Sequence, residues 1–291
     1  MIAERPIVVG IDASAGADAA LGWALADAAT HKAPVRVVCA YRSTVEYDDP
    51  MLMWYGMPEP ELEHSRTVAE DVVAKAIAHA AELDESVRVQ GAAIDGSPVP
   101  VLVEESHRGS LLVLGSRHRS AVGASVLGSV SAGVAARSAC PVIVLGGPAA
   151  PASEGPSVVV GVDGTEESDL LLSFAFDHAS RHRVPLKALL VWHPDLLASM
   201  MWRAAPAVPT RAELWLSEAL AGWGEKYPDV AVHSAVIRDH PAAGLTAWAP
   251  SAELLVVGSR GRHALVGTLL GSVSQAVLHH ATCPVAVVPT H

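Results

Sequence analysis

Cysteine is scarce: the 291 residues hold three, Cys39, Cys140 and Cys283, and no CxxC pair. So odd and sparse a count excludes a disulfide framework and points to a reducing compartment. Aromatic residues are also few, 4% of the chain against 51% hydrophobic, so any core must be built from Val, Leu, Ile and Ala. That suits a parallel sheet covered on both faces, whose strands read as nearly continuous aliphatic runs. Positive charge is short: 20 basic against 31 acidic residues give a net −11, which argues against a DNA or RNA partner over the surface as a whole. One nucleotide held by a few local arginines stays compatible with it. The longest run free of both charged residues and histidine, Ser120 to Ala136, is full of Gly and Ser and falls short of the ~20 apolar residues that a membrane span needs. The start, MIAERPIVVG, carries charge and runs straight into a strand, unlike a signal peptide. The expectation is a soluble, cytoplasmic protein.

What is present is one unit written twice. Ser110 to Val144 aligns without a gap onto Glu253 to Val287 at an offset of 143, with Gly115, Gly128, Ser129 and Val130 falling on Gly258, Gly271, Ser272 and Val273. Near the chain start, Val8-Val9-Gly10-Ile11-Asp12 matches Val159-Val160-Gly161-Val162-Asp163 at an offset of 151, and Pro34 matches Pro185. The length agrees with two domains of about 100–200 residues each. We place them at 1–146 and 157–291, joined by a Pro, Gly, Ala and Ser linker over 147–156.

Each half reads as five strands alternating with helices. Ile7 to Ile11 predicts a strand, Ser14 to His31 a helix with Leu21, Ala24, Leu25 and Ala28 at helical spacing, and Val35 to Tyr41 a second strand. Ser65 to Leu83 predicts a helix, Val87 to Ile94 a strand, Val99 to Ser106 a short helix and Leu111 to Leu114 a strand. A helix from about Ser129 to Arg137 and a strand from Val142 to Leu145 close the half. The expected fold class is α/β: two tandem, doubly wound, five-stranded parallel-sheet domains, flavodoxin- or Rossmann-like, with strand order 3-2-1-4-5. The irregular, apolar segments Arg42 to His64 and Pro194 to Pro209 read as covers over each domain's own sheet rather than as partner surfaces.

In such a fold, loops after the first and fourth strands meet at the point where strand order reverses. Asp12 and Asp163 follow the first strands, and Gly115 and Gly258 follow the fourth. A strand running through a glycine loop into a helix binds anions well, because the helix start carries unpaired N–H groups and glycine lets a phosphate approach the backbone. Each Asp also has a plain reading as a cap or turn residue, and each Gly-Ser pair as a tight turn. Neither loop has the lysine of a P-loop, and Gly10-Ile11-Asp12 lacks the dinucleotide fingerprint. No HExxH and no G-x-S-x-G occurs, so we assign no catalytic and no metal-ligating residue. His31, His79, His178, His182 and His279-His280 read as exposed on helix surfaces or ends.

The spacing G-x2-G-x9-G-[S/T] is met in full by Gly258, Gly261, Gly271 and Ser272. With Val162-Asp163 and the ending Cys283-Pro284-Val285, the chain resembles the universal stress protein family, in tandem form and in its ATP-binding subgroup. That resemblance implies a domain that holds ATP across strands 1 and 4 with Mg2+ and dimerises through its last strands. Carried over by position, it implies that Gly258, Ser259, Arg260, Gly261 and Arg262 wrap phosphates and ribose, and that Gly271, Ser272, Val273 and Ser274 offer N–H and hydroxyl groups to the phosphates. Gly161 and Asp163 would lie on the ribose and metal-phosphate side, with Val191 meeting adenine through its backbone. The first-half equivalents are Gly10, Asp12, Ala40, Gly115, Ser116, Arg117, His118, Arg119, Gly128, Ser129, Val130 and Ser131. His118 stands where the second glycine belongs, and either restricts the approach of phosphate or donates to it.

The leading expectation is therefore a nucleotide-binding regulatory protein of a stress or growth-arrest pathway, with adenine nucleotide as ligand. A pseudo-dimer of the two halves and a homodimer are the expected associations. The rivals are a slow Mg2+-dependent ATPase, with Asp12 or Asp163 helping a metal to orient water, and a structural dimer that no longer binds nucleotide.

Overall fold

A computed structural model describes residues 5–42, 59–116, 118–119, 125–126, 128–146, 155–165, 167–193, 208–260 and 270–290. The chain divides into two compact units, residues 1–117 with 128–140 and residues 118–127 with 141–291. Most of the two apolar segments expected to act as covers, 43–58 and 194–207, lies outside the described residues, as does linker 147–154.

The first unit starts with β1 (Ile7–Gly10), whose Ile7, Val8 and Val9 are buried as expected of an aliphatic run between two helical layers. Ala13 turns the chain at φ 57, and the hydroxyl of Ser14 accepts the Ala17 N–H at 3.2 Å, capping α1 (Ala15–His31). The helix buries Ala17, Ala20, Leu21, Ala24, Leu25 and Ala28 against β1 and β4 (Leu111–Gly115). It ends at Lys32, left-handed at φ 56, two residues before Pro34. The remaining elements are β2 (Val35–Tyr41), α2 (Glu59–Leu83), β3 (Val89–Asp95), α3 (Pro98–Ser106) and α4 (Ser129–Ala135). The strands lie in the order β4-β1-β2-β3, all parallel. Helix α2 starts at Glu59, before the predicted Ser65. Pro60 looks like a breaker in sequence, yet in the first helical turn its missing N–H costs nothing.

The second unit holds a two-stranded hairpin of β5 (His118–Arg119) and β6 (Ser125–Val126), which no sequence pattern announced. It continues with β7 (Val142–Leu145), β8 (Ser157–Val162), α5 (Ser168–His182), β9 (Leu186–Trp192) and α6 (Val208–Leu220). A short α7 (Trp223–Lys226), β10 (Val232–Arg238), α8 (Pro241–Thr246), β11 (Ala252–Gly258), α9 (Ser272–His280) and β12 (Val285–Val288) complete it. Its strands lie in the order β10-β9-β8-β11-β12-β7, so the second repeat shows the expected 3-2-1-4-5 in full. β7, the last strand of the first repeat, runs antiparallel to β12, with Val142 opposite Val287 and Val144 opposite Val285. An aliphatic terminal strand is thereby paired on the side that would otherwise be an open edge.

The three cysteines are free and buried, and desolvation pushes the Cys140 and Cys283 thiols up to about 11 and about 12, so both are packing residues. The repeats differ where a strand-2 cation meets the segment after strand 3. In the first unit Arg36 Nε lies 2.5 Å from Glu105 Oε2, and Arg108 Nη1 lies 3.0 Å from Glu105 Oε1, around a carboxylate that is 1% exposed. At the matching positions of the second unit, Lys187 Nζ sits 4.9 Å from the centre of the Trp248 ring. A buried carboxylate with two partners is costly to unpair, whereas a cation over a ring is a modest attraction. We predict that Glu105→Ala lowers stability by about 2 kcal/mol and Lys187→Met by less than ~1 kcal/mol, as read from urea unfolding midpoints.

Candidate functional site

The two strand–loop–helix junctions repeat each other closely. In the first unit Gly128 is the N-cap of α4, in extended conformation at φ −65 and ψ 142. In the second, Gly271 occupies the same place before α9 at φ −63 and ψ 146. A glycine cap brings no side-chain acceptor, so the first-turn N–H groups, which have no intrahelical partner, are left to others. The Gly271 N–H is accepted by the Ser259 carbonyl at 2.9 Å, and the amides of Ser272, Val273 and Ser274 follow it in the first turn. Ser129 and Ser272 are exposed, and Val130 and Val273 half-buried. Ser131 and Ser274 are buried and turn inward: the Ser131 hydroxyl donates to the Gly115 carbonyl at 3.4 Å, and the Ser274 hydroxyl to the Gly258 carbonyl. The hydroxyls predicted to meet phosphate at those two positions thus bind the helix to the preceding strand, and the amides are the groups presented.

Across from each junction lies the turn after the first strand. β1 pairs with β4, Gly10 opposite Leu114, and β8 pairs with β11, Val160 opposite Val256. Asp12 and Asp163 therefore stand beside Gly115 and Gly258 at the carboxyl ends of adjacent strands. Asp12 Oδ1 accepts the Ser14 N–H at 3.2 Å and the Ser14 hydroxyl at 2.5 Å. Asp163 Oδ1 accepts the Thr165 N–H at 3.1 Å, the Thr165 hydroxyl at 2.8 Å and the Ser168 hydroxyl at 3.3 Å. Both carboxylates are half-buried and organise their turns, as the plain reading of an Asp after a strand requires. Ala40 and Val191 lie near the ends of the second strands, opposite Ile94 and Ile237, both half-buried.

The loops between differ. Ser259 is 1% exposed, its hydroxyl 3.3 Å from the Thr290 hydroxyl and accepting the Thr290 N–H at 3.2 Å. Arg260 is exposed. Arg117, Gly261 and Arg262 lie outside the described residues, and of His118 and Arg119 only the backbone, as β5, is described. At Gly115 a Cβ would fall inside the Gly16 carbonyl, because the first turn of α1 abuts the end of β4 there. At Gly258 a Cβ would meet only the Arg260 carbonyl, at 3.0 Å, and flexible side chains. Sequence reasoning gave no sign of Gly16 or Thr290, since neither sits in a motif.

Away from the crevice, at the opposite end of β11, sits a second polar group that corrects the expectation of exposed histidines. His178 is 5% exposed and His182 half-buried. Glu253 Oε1 lies 3.0 Å from His182 Nδ1 and 3.6 Å from His178 Nε2, and the two rings stack at 4.0 Å between centroids. The spacing i, i+4 on α5 puts both rings on one face, and the sheet behind it buries them. The imidazoles of His178 and then His182 hold the Glu253 carboxyl down to about 2, against the upward pull of partial burial.

Two predictions follow from this geometry. Gly115→Ala must displace backbone and should cost about 3 kcal/mol, Gly258→Ala about 1 kcal/mol, a difference measurable by urea unfolding of the two variants. Because Glu253 titrates lower in the folded chain than its ordinary 4.5, the unfolded state takes up the proton first as pH falls. Its contribution, roughly 3 kcal/mol, is complete above pH about 4.5 and lost between there and about 2. Unfolding free energies at pH 5 and pH 3 should show that loss in the parent and a smaller one in Glu253→Gln.

The comparisons with known proteins agree with the repeat. The signature of the Universal stress protein family matches residues 4–146 and again 156–289. A universal stress protein of Mycobacterium tuberculosis is 40% identical over 292 residues, covering 98% of this chain and 97% of its own. A second from that organism is 36% identical over 289 residues, covering 97% and 95%. The crystal structure of a universal stress protein from Archaeoglobus fulgidus superimposes with a TM-score of 0.69 at 20% identity over 99% of each chain, a likeness of fold. Two signature matches and relatives that span nearly the whole length leave one assignment: the chain belongs to the universal stress protein family, as a tandem of two of its domains.

Proposed function

We propose that the chain is an ATP-binding regulator of a stress response, in which nucleotide occupancy at two crevices sets conformation or association. The observation that carries this reading is the doubled helix start, Gly-Ser-Val-Ser with a glycine cap, whose amides face the end of a strand adjacent to one that ends in Asp. Amide groups at a helix N-terminus favour a phosphate by both hydrogen bonding and the helix dipole. The residues fit Mg2+ with the triphosphate: Asp12 and Asp163 each have a carboxylate at the mouth, its Oδ1 accepting from Ser14 in the first and from Thr165 and Ser168 in the second. A bound magnesium ion would offset phosphate charge that no lysine of the loop neutralises. Val191 and Ala40 would offer backbone groups to the base, and Arg260 is the described loop cation that faces solvent.

The second crevice is the tighter one in this reading. His118 replaces a glycine in the first loop, and the Gly16 carbonyl crowds the end of β4 at Gly115. The three free, buried cysteines suit the cytoplasm. Among the described residues no helix is long and apolar enough to cross a membrane. The pairing of β7 with β12 supports association of the halves through their last strands.

Calorimetry with Mg2+ and ATP should show two classes of site in the parent chain. Asp163→Asn, which keeps the shape of the turn, should weaken the tighter class at least about 10-fold, the size expected from losing one charged contact of ~1.5 kcal/mol or more. Asp12→Asn should touch only the weaker class. Absence of binding heat in the parent overturns the reading; equal losses from both variants overturn the ranking of the sites.

A further inference from the structure

We propose that the second unit binds a small aromatic carboxylate in an open groove at the amino ends of β9 and β10, at the far end of those strands from the nucleotide crevice. The register of the two strands sets Lys187 opposite His233 and Leu189 opposite Ala235. Side chains alternate between the faces of a sheet, so these four share one face and make the floor of the groove. The indole of Trp248, just past the end of α8, forms the wall, and Ser234 completes the lining of a cavity of about 310 Å3. Leu189 is buried, Lys187, Ala235 and Trp248 are half-buried, and His233 is exposed. β10 is the last strand in the sheet order, so among the described residues no further strand closes the outer side.

Charge and the other repeat point to the ligand class. No carboxylate is among the described residues that line the groove, in a chain with 31 acidic residues against 20 basic ones. Lys187 Nζ sits 4.9 Å from the centre of the Trp248 ring, which holds a cation at the lip of an apolar surface. The first repeat shows what a cation at this place receives. Arg36 matches Lys187, and its Nε lies 2.5 Å from the carboxylate of Glu105, the residue that Trp248 replaces. Helix α3 runs for nine residues and carries Glu105 within it, whereas α8 ends after six, short of Trp248. Val38, Gln90 and Ala92 match Leu189, His233 and Ala235, so the first repeat has neither the imidazole nor the ring. The second repeat has thus exchanged a built-in carboxylate for a ring face beside a cation, the two contacts that an aromatic acid needs. The Lys187 ammonium and the His233 imidazole take the carboxylate, and the flat body lies on Trp248, Leu189 and Ala235. Ligand pockets run upward from about 300 Å3, so this one suits one or two fused rings rather than a nucleoside triphosphate.

The site does not depend on nucleotide binding, because Lys187 is the second residue of β9 and the crevice lies at the carboxyl ends of the strands. The test is a titration of the full-length chain with naphthoate, followed by calorimetry and by ligand-observed NMR. We expect one saturable site per chain, unaffected by excess ATP with Mg2+. Lys187→Met and Trp248→Leu should each weaken it at least about 10-fold, as expected from losing a charged or a stacking contact. Naphthamide, the same ring system without the charge, should bind the parent at least about 10-fold more weakly than naphthoate. Lys75→Met, which removes an exposed cation of α2, should leave the affinity unchanged. Absence of saturation in the parent, equal affinity for naphthoate and naphthamide, equal affinity in the parent and both groove variants, or displacement by ATP would overturn the proposal. Urea unfolding of each variant separates lost binding from lost folding.

Discussion

In both halves a buried serine, third in its helix, donates its hydroxyl to the glycine carbonyl that ends the fourth strand: Ser131 to Gly115 and Ser274 to Gly258. In energy this is an ordinary buried hydrogen bond, about 1 kcal/mol net. Its importance is directional. It fixes the helix start over the strand end and satisfies a carbonyl that has left its sheet ladder, so the loop between is free to differ. The cap one turn earlier is glycine, which has nothing to offer the first amides. Helix α1 shows the contrast, because Ser14 takes the Ala17 N–H for itself and presents less to an outside ligand. A helix held at its third residue behind a glycine cap is the arrangement that the proposed phosphate site would use.

The sequence announced this junction because its residue types are constrained on both sides. Gly115 and Gly128 recur as Gly258 and Gly271 with the same intervals, and the aliphatic runs that precede them can only be buried strands. The strand order, the Asp at the neighbouring strand end and the protected terminal strands were all legible from the same logic. What stayed hidden depends on distance across the chain. Gly16 looks like any glycine at a helix start until its carbonyl is seen against Gly115, and Thr290 like a tail residue until it meets Ser259. His178 has a polar name and a helical position, which read as exposed. The packing of α5 on β11 brings it beside Glu253, which lies on another element, far along the chain.

Duplication followed by divergence explains why the two units keep the junction yet differ around it. Positions that hold backbone geometry are repeated, while side-chain pairs are exchanged: Arg36 with Glu105 in one unit becomes Lys187 with Trp248 in the other. Both pairs tie the second strand to the segment after the third, one by charge to α3 itself and one by a ring face to Trp248 just past the end of α8, so the fold tolerates either. The Phe176, Trp223 and Tyr227 stack, with centroids 5.2 and 5.5 Å from Phe176, is a further addition of the second unit, where the position matching Phe176 in the first is Leu25. The residues free to change are those that do not set where the helix starts.

The way Asp163 is held bears on how occupancy could be felt beyond the crevice. Thr165 and Ser168 both place hydroxyls on Oδ1, and Ser168 is the first residue of α5. In the proposed function, a cation brought in with phosphate would compete for the same oxygen, since a carboxylate that binds a metal has fewer lone pairs to give to hydroxyls. Relaxing those two bonds would loosen the entry to a helix whose far end packs on β11 through His178 and His182. The first unit has a shorter connection: Asp12 is bonded to Ser14, and Ser14 caps α1 directly. In each half the carboxylate that would meet the ligand also sets the start of the helix behind it, which is the coupling a binding protein needs if occupancy is to change its shape.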